Sequence, residues 1–221
     1  MSHYLELEHS RLARDPLILL VSGNPRASDW QSFWETQCSD CRRVDLGPAD
    51  QPHRNTWVNR LNMAIQQADR PVILVAQGLG CLAVVWWAEY ERPTYSNPVV
   101  GALFAAPPDV DRPGSAPRLA AFGACPRKPL PFPALLTTNQ GDGFCSLRTA
   151  QRLASDWGCR FVFDGSADAG AEGDWLFGKK RLGRLLQEPR WERDSFRARH
   201  PATTGRNGVR MQPSQPWPRR A

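Results

Sequence analysis

The chain has 221 residues, 41% hydrophobic and 23% charged, with a formal net charge of +6. That length fits one α/β domain with a sizeable core, and no apolar run approaches the length needed to cross a bilayer. The N-terminus lacks the basic-then-apolar order of a secretory signal, and six scattered cysteines do not make a secreted disulfide framework, so reduced thiols and a cytoplasmic location are expected.

In chain order, Leu17–Ser22 reads as a short buried strand after Asp15-Pro16. Ser28 is placed to cap a helix over Trp30–Cys38, with Trp30 and Trp34 one turn apart. Cys38-Ser39-Asp40-Cys41 has the spacing of a zinc knuckle. A zinc site needs four ligands and no second pair follows, so no metal is expected; the spacing is read as accidental, ahead of a redox pair. Arg42–Leu46 reads as a second strand. A Pro- and Asp-containing loop, Gly47–Asn55, leads to a helix near Thr56–Gln67 that puts Trp57, Leu61 and Ile65 on one face.

The next segment is the most informative. The β-branched run Val72–Val75 ends in Ala76-Gln77-Gly78-Leu79-Gly80, and a helical stretch from Leu79 to about Tyr90 follows at once. Strand, sharp turn and helix in this order form the setting of a nucleophile elbow, in which a serine would point out from the turn. Here the position is Gly78, which has no side chain. Val99–Ala105 is the next strand, closed by Pro107-Pro108-Asp109, and a loop of Pro, Gly and Ala runs to Arg127. Pro133–Thr138 reads as a strand, Leu147–Trp157 as a helix, Arg160–Phe163 as a strand and Lys179–Leu186 as a final helix. Strands alternating with helices imply right-handed crossovers and a doubly wound, mainly parallel sheet with helices on both faces.

Residues 189–221 differ from the rest. They hold eight Arg against one Glu and one Asp, so this stretch accounts for the whole net charge. It carries Pro189, Pro201, Pro213, Pro216 and Pro218, few aliphatics and no helical or strand period. The expected organisation is therefore an α/β domain over 1–188 and a disordered basic tail over 189–221. A solvated extension comes first; a basic arm for nucleic acid or another anionic surface, anchored by Trp191, Phe196 and Trp217, comes second. Nine tryptophans in one chain can serve an exposed aromatic surface or fill the core.

These residues carry a resemblance. From about Leu17 to Leu186 the chain resembles the small serine hydrolases of the YdeN and retinoblastoma-binding protein 9 group, which have the α/β-hydrolase fold. Gly23 stands in the loop after the first strand, and Asp29-Trp30-Gln31-Ser32-Phe33-Trp34-Glu35 follows. Pro52, Trp57 and Leu61 match, as does Ala102-Leu103-Phe104-Ala105-Ala106-Pro107-Pro108-Asp109-Val110. The family's elbow is usually His-Ser-Leu-Gly-Cys; this chain has Gln77-Gly78-Leu79-Gly80-Cys81.

The resemblance implies a catalytic triad, and this chain departs from it twice. The family's acid segment matches Asn139-Gln140-Gly141-Asp142-Gly143-Phe144-Cys145, which places Asp142 at the acid. With no triad to serve, Asp142 reads better as a residue capping the following helix. The family's histidine loop matches Gly165–Trp175, with Ala169 near the position of the base, and holds no histidine. The only histidines are His3, His9, His53 and His200. Acyl transfer by this route needs an oxygen nucleophile and a base that takes its proton. Gly78, Asp142 and Ala169 are therefore vestigial positions. Backbone groups at Leu79 and in the loop of Gly23 and Asn24, beside Gln77, remain as a candidate oxyanion-type binding site.

The expected function is a binding or regulatory pseudoenzyme that engages a protein partner or a small anionic or acyl ligand without a cofactor. The alternatives are an esterase or amidase with an unorthodox site, using Cys81 or Cys145, and a nucleic-acid or anionic-surface binder acting through the tail.

Overall fold

The strands Leu17–Ser22, Val72–Gln77 and Val99–Ala105 are short aliphatic runs buried on both faces, as the centre of a parallel sheet covered by helices requires, whereas the edge strands Cys41–Arg43 and Arg160–Asp164 carry exposed residues. The computed structural model describes residues 16–22, 29–110, 117–139 and 145–164. In chain order these form β1 (Leu17–Ser22), α1 (Asp29–Gln37), β2 (Cys41–Arg43), α2 (Arg54–Gln66), β3 (Val72–Gln77), α3 (Leu79–Glu91), β4 (Val99–Ala105), α4 (Pro117–Ala120), β5 (Ala134–Asn139), α5 (Leu147–Trp157) and β6 (Arg160–Asp164). The sheet order is β2-β1-β3-β4-β5-β6, and every neighbouring pair is parallel. The chain steps from β1 outward to β2, returns past β1 to β3, and continues in the other direction to β6. The winding therefore reverses between β1 and β3, as in a doubly wound fold.

Alternate residues of each strand feed two cores. Leu17, Leu19, Val21, Val72, Leu74, Ala76, Phe104 and Leu136 meet α2, α3 and α5 on one face. Leu20, Ile73, Val75, Leu103 and Leu135 pack with Trp34 of α1 on the other. The expected face of α2 is present, with Trp57, Leu61 and Ile65 all buried. In α3, Gly80, Cys81, Leu82, Ala83, Val84, Val85, Trp87 and Ala88 are buried, leaving little of the helix for solvent. A helix apolar nearly all round is held between neighbours rather than on the surface, and this fixes the turn at its start.

Several expectations need correction. β2 is three residues long rather than reaching Leu46. Val44 still donates to the Leu20 carbonyl at 2.9 Å. The chain then turns away, because Asp45 Oδ1 accepts the Gly47 N–H at 2.9 Å and Asp45 Oδ2 accepts from Arg60 Nη1 at 3.0 Å. The loop before Arg127 contains the short α4. Trp34, Trp57, Trp87 and Trp157 lie in the core, and Trp86 is half-buried beneath the Arg54 guanidinium, 4.3 Å from the ring centroid. These five tryptophans thus build the interior rather than an aromatic surface. Ser28, the Lys179–Leu186 helix and the 189–221 stretch lie outside the described residues.

Candidate functional site

The reversal of winding puts the ends of β1 and β3 side by side. In open α/β sheets the crevice outside the carboxyl ends of the strands, at this switch point, is where ligands bind. Ser22, Gln77 and Ala105 are register partners across β1, β3 and β4, so the chain leaves all three strands at one level. Gly78 follows Gln77 directly.

Gly78 has φ 55° and ψ −127°. Glycine adopts this backbone freely and other residues only under strain. The turn is pinned from below: Gly78 N–H donates to the Ala105 carbonyl at 3.1 Å, and Cys81 N–H donates to the Gly78 carbonyl at 3.0 Å. The Cys81 thiol donates to the same Ala105 carbonyl at 3.5 Å. Among the described residues, a Cβ built on Gly78 would meet nothing within 4 Å, so no described side chain or backbone fills the position above the turn. Gly80 is held for a different reason. A Cβ there would lie 2.1 Å from the Val21 carbonyl oxygen, because α3 begins hard against the end of β1. One glycine thus serves the turn and the other the close approach of helix to strand.

Among the candidate residues, Gln77, Gly78 and Leu79 are placed together at this turn, and all three are half-buried. Leu79 opens α3, where the backbone N–H groups and the helix dipole favour negative charge. Gly23, Asn24, Asp142 and Ala169 lie outside the described residues. The two cysteines weighed as replacement nucleophiles are enclosed. Cys81 is fully buried within α3, and Cys145 is buried with its thiol donating to the Ser146 carbonyl at 3.5 Å.

Three features were not legible beforehand. Ala106, beside the turn, has φ 51° although it is not glycine, and nothing in its sequence setting signals that. Asp109 ties the end of β4 to α5, its Oδ2 accepting from Thr149 Oγ1 at 2.9 Å. The N-cap of α5 is Ser146, whose Oγ accepts the Thr149 N–H at 3.1 Å and donates to Thr149 Oγ1 at 2.9 Å. The capping role expected of Asp142 therefore belongs to Ser146. Ser and Asp are equally good caps, and only the backbone geometry at Ser146 decides between them. Among the described residues, no three His, Cys, Asp or Glu side chains gather as metal ligands, and no helix is long and apolar enough to cross a membrane.

Comparison with known proteins agrees with this geometry. A family model described as serine hydrolase matches residues 18–171. Among solved structures, a putative YdeN-like hydrolase from Pectobacterium atrosepticum is similar at 25% identity and TM-score 0.65, covering 82% of this chain and 96% of its own. The ydeN gene product of B. subtilis is similar at 15% identity and TM-score 0.57, covering 79% and 100%. Mouse alpha/beta hydrolase domain-containing protein 10 shares the fold at 13% identity and TM-score 0.58, covering 78% and 91%. No curated protein matches the chain. With the sheet order, the glycine turn ahead of α3 and a family match over most of its length, the chain belongs to the serine hydrolase family and has the α/β-hydrolase fold.

Proposed function

We propose that this chain is a pseudoenzyme of the serine hydrolase family, a binding or regulatory protein that retains the turn of a nucleophile elbow without a nucleophile. One observation carries the reading: the residue at the turn, at φ 55° and with nothing among the described residues within 4 Å of its Cβ position, is Gly78. The sequence supports it independently. The segment matching the family's base loop, Gly165–Trp175, has no histidine, and one altered residue does not explain two missing groups. With no oxygen at 78 and no base to activate one, there is no covalent route; backbone donors and bound orientation alone leave roughly 10³–10⁴ over water.

What remains suits binding. The start of α3 offers N–H groups at Leu79, and Gly23 and Asn24 follow the neighbouring strand. The ligand class this fits is a small anionic or acyl group, or a protein partner presenting one, met in the cytoplasm. Asp142 is then a remnant. The α/β-hydrolase-like domain is assigned to 1–188 and the extension to 189–221, the latter as a solvated basic tail.

Family membership favours a second reading, an esterase or amidase with an unorthodox site. The burial of Cys81 and Cys145 argues against the nucleophiles it would need. A fluorophosphonate probe separates the two. The full chain is expected to stay unlabelled at concentrations that saturate a serine hydrolase, and stoichiometric labelling of the folded protein would overturn the pseudoenzyme reading.

A further inference from the structure

Cys38 and Cys41 stand at the junction of α1 and β2, away from the elbow turn. Cys41 N–H donates to the Cys38 carbonyl at 3.1 Å, closing a tight turn that brings the two residues to one side. The two thiols thus belong to one four-residue turn, with Cys38 and Cys41 at its first and last positions. Both are reduced, Cys41 buried and Cys38 partly exposed. The turn between them is anchored on both sides: the Asp40 carbonyl accepts the Ile18 N–H at 2.8 Å, and the Asp40 carboxylate accepts from Arg70 Nη2 at 2.5 Å. Both cysteines pack in the core that contains Trp34. The turn hydrogen bond therefore holds the two cysteines at neighbouring positions beside one core.

We propose that Cys38 and Cys41 form a reversible disulfide latch that fastens the end of α1 to β2 when the chain meets a low-molecular-weight disulfide. Cys38, the accessible member, attacks one sulfur of the small disulfide as its thiolate and releases one small thiol. Cys41 then attacks the Cys38 sulfur of the mixed disulfide, and the second small thiol leaves. Two protein thiols are oxidised to one disulfide, the small disulfide is reduced to two thiols, and the two protons go to those thiols.

The setting distinguishes a latch from a redox catalyst. Catalytic Cys-x-x-Cys pairs start a helix, where the dipole and nearby cations stabilise the thiolate. This pair follows the C-terminus of α1, whose last turn has no basic residue. Burial pushes the Cys41 thiol up, and Cys38, Asp40 and Glu35 push it further. Thiols that are poor leaving groups make a disulfide that forms slowly and resists reduction. The latch bears on α1, which Arg43 already holds: its Nε donates to Glu35 Oε2 at 3.0 Å, its Nη1 to Gln31 Oε1 at 3.5 Å and its Nη2 to Ser32 Oγ at 3.2 Å. Gln31 Nε2 in turn donates to the Val75 carbonyl in β3 at 3.5 Å.

The test equilibrates the full folded chain in glutathione buffers of rising disulfide content, followed by acid quench, alkylation under denaturing conditions and peptide mass spectrometry. The peptide holding residues 38–41 is expected to lose both alkyl groups at ratios where Cys81, Cys125, Cys145 and Cys159 stay alkylated. Cys41→Ser is expected to stop at one glutathione on Cys38, and Cys38→Ser to give neither product. Oxidation of the native chain is expected to raise its thermal midpoint by a few degrees, a shift absent from both variants. A 38–41 peptide that stays fully alkylated while the protein remains folded, or a pairing of either cysteine with another, would overturn the proposal.

Discussion

Two glycines one residue apart meet different constraints, and their variants separate those constraints. At Gly78 no described residue stands in the way of an added carbon and the backbone conformation is what objects, so Gly78→Ala is expected to lose about 1–3 kcal/mol of unfolding free energy while keeping the fold. At Gly80 the added carbon would meet the backbone of β1, which cannot yield, and Gly80→Ala is expected to lose more, about 3 kcal/mol or above. Denaturant titration of both variants measures this directly, and equal losses would contradict the assignment of roles. Gly78→Ser is expected to behave as Gly78→Ala in stability and to remain unreactive toward a fluorophosphonate, because a hydroxyl alone has no base. The glycine spacing made the turn legible in the sequence. The left-handed Ala106 was not, since alanine ahead of two prolines gives no hint of positive φ.

At the scale of elements, segments with local punctuation were read closely. α3 begins at Leu79 because Gly78 turns the chain, and α5 ends at Trp157 because Gly158 takes φ 67° and its N–H closes the last turn. β4 and α5 have the bounds expected, Val99–Ala105 and Leu147–Trp157. β2 did not, because its end is set by contacts from elsewhere: an Asp45 turn and Arg60 of α2. The start of α5 differs likewise, its cap being Ser146 rather than Asp142. Ser146→Ala is expected to lose about 1 kcal/mol, since it removes the acceptor of the Thr149 N–H. Thermal denaturation checks this, and an unchanged midpoint would return the cap to the segment that includes Asp142.

For the molecule as a whole, the alternation of strands and helices is enough to foresee a doubly wound parallel sheet, and the strand–turn–helix order and family resemblance to place an elbow turn at Gly78; its position at the switch point between β1 and β3 comes from the strand order. What the sequence held less plainly was the use of its tryptophans. Composition does not separate core from surface; Trp34, Trp57, Trp87 and Trp157 lie in the core and Trp86 is half-buried. If the 189–221 stretch is a solvated extension, removing it after Glu188 is expected to leave the thermal midpoint of the remaining chain unchanged, and any partner captured by the full chain is expected to be captured by the shortened one. Loss of capture on truncation would move the binding function to the tail.

In the proposed function, this member of the serine hydrolase family binds where its relatives' fold would position an attack. Turnover of p-nitrophenyl acetate by the full chain, compared with its Asp142→Ala variant, decides between binding and attack at that turn. Release of p-nitrophenol at the same near-background rate by both proteins is the expected result. Multiple turnovers by the native chain that fall when Asp142 is replaced would contradict it and restore a working acid to the site.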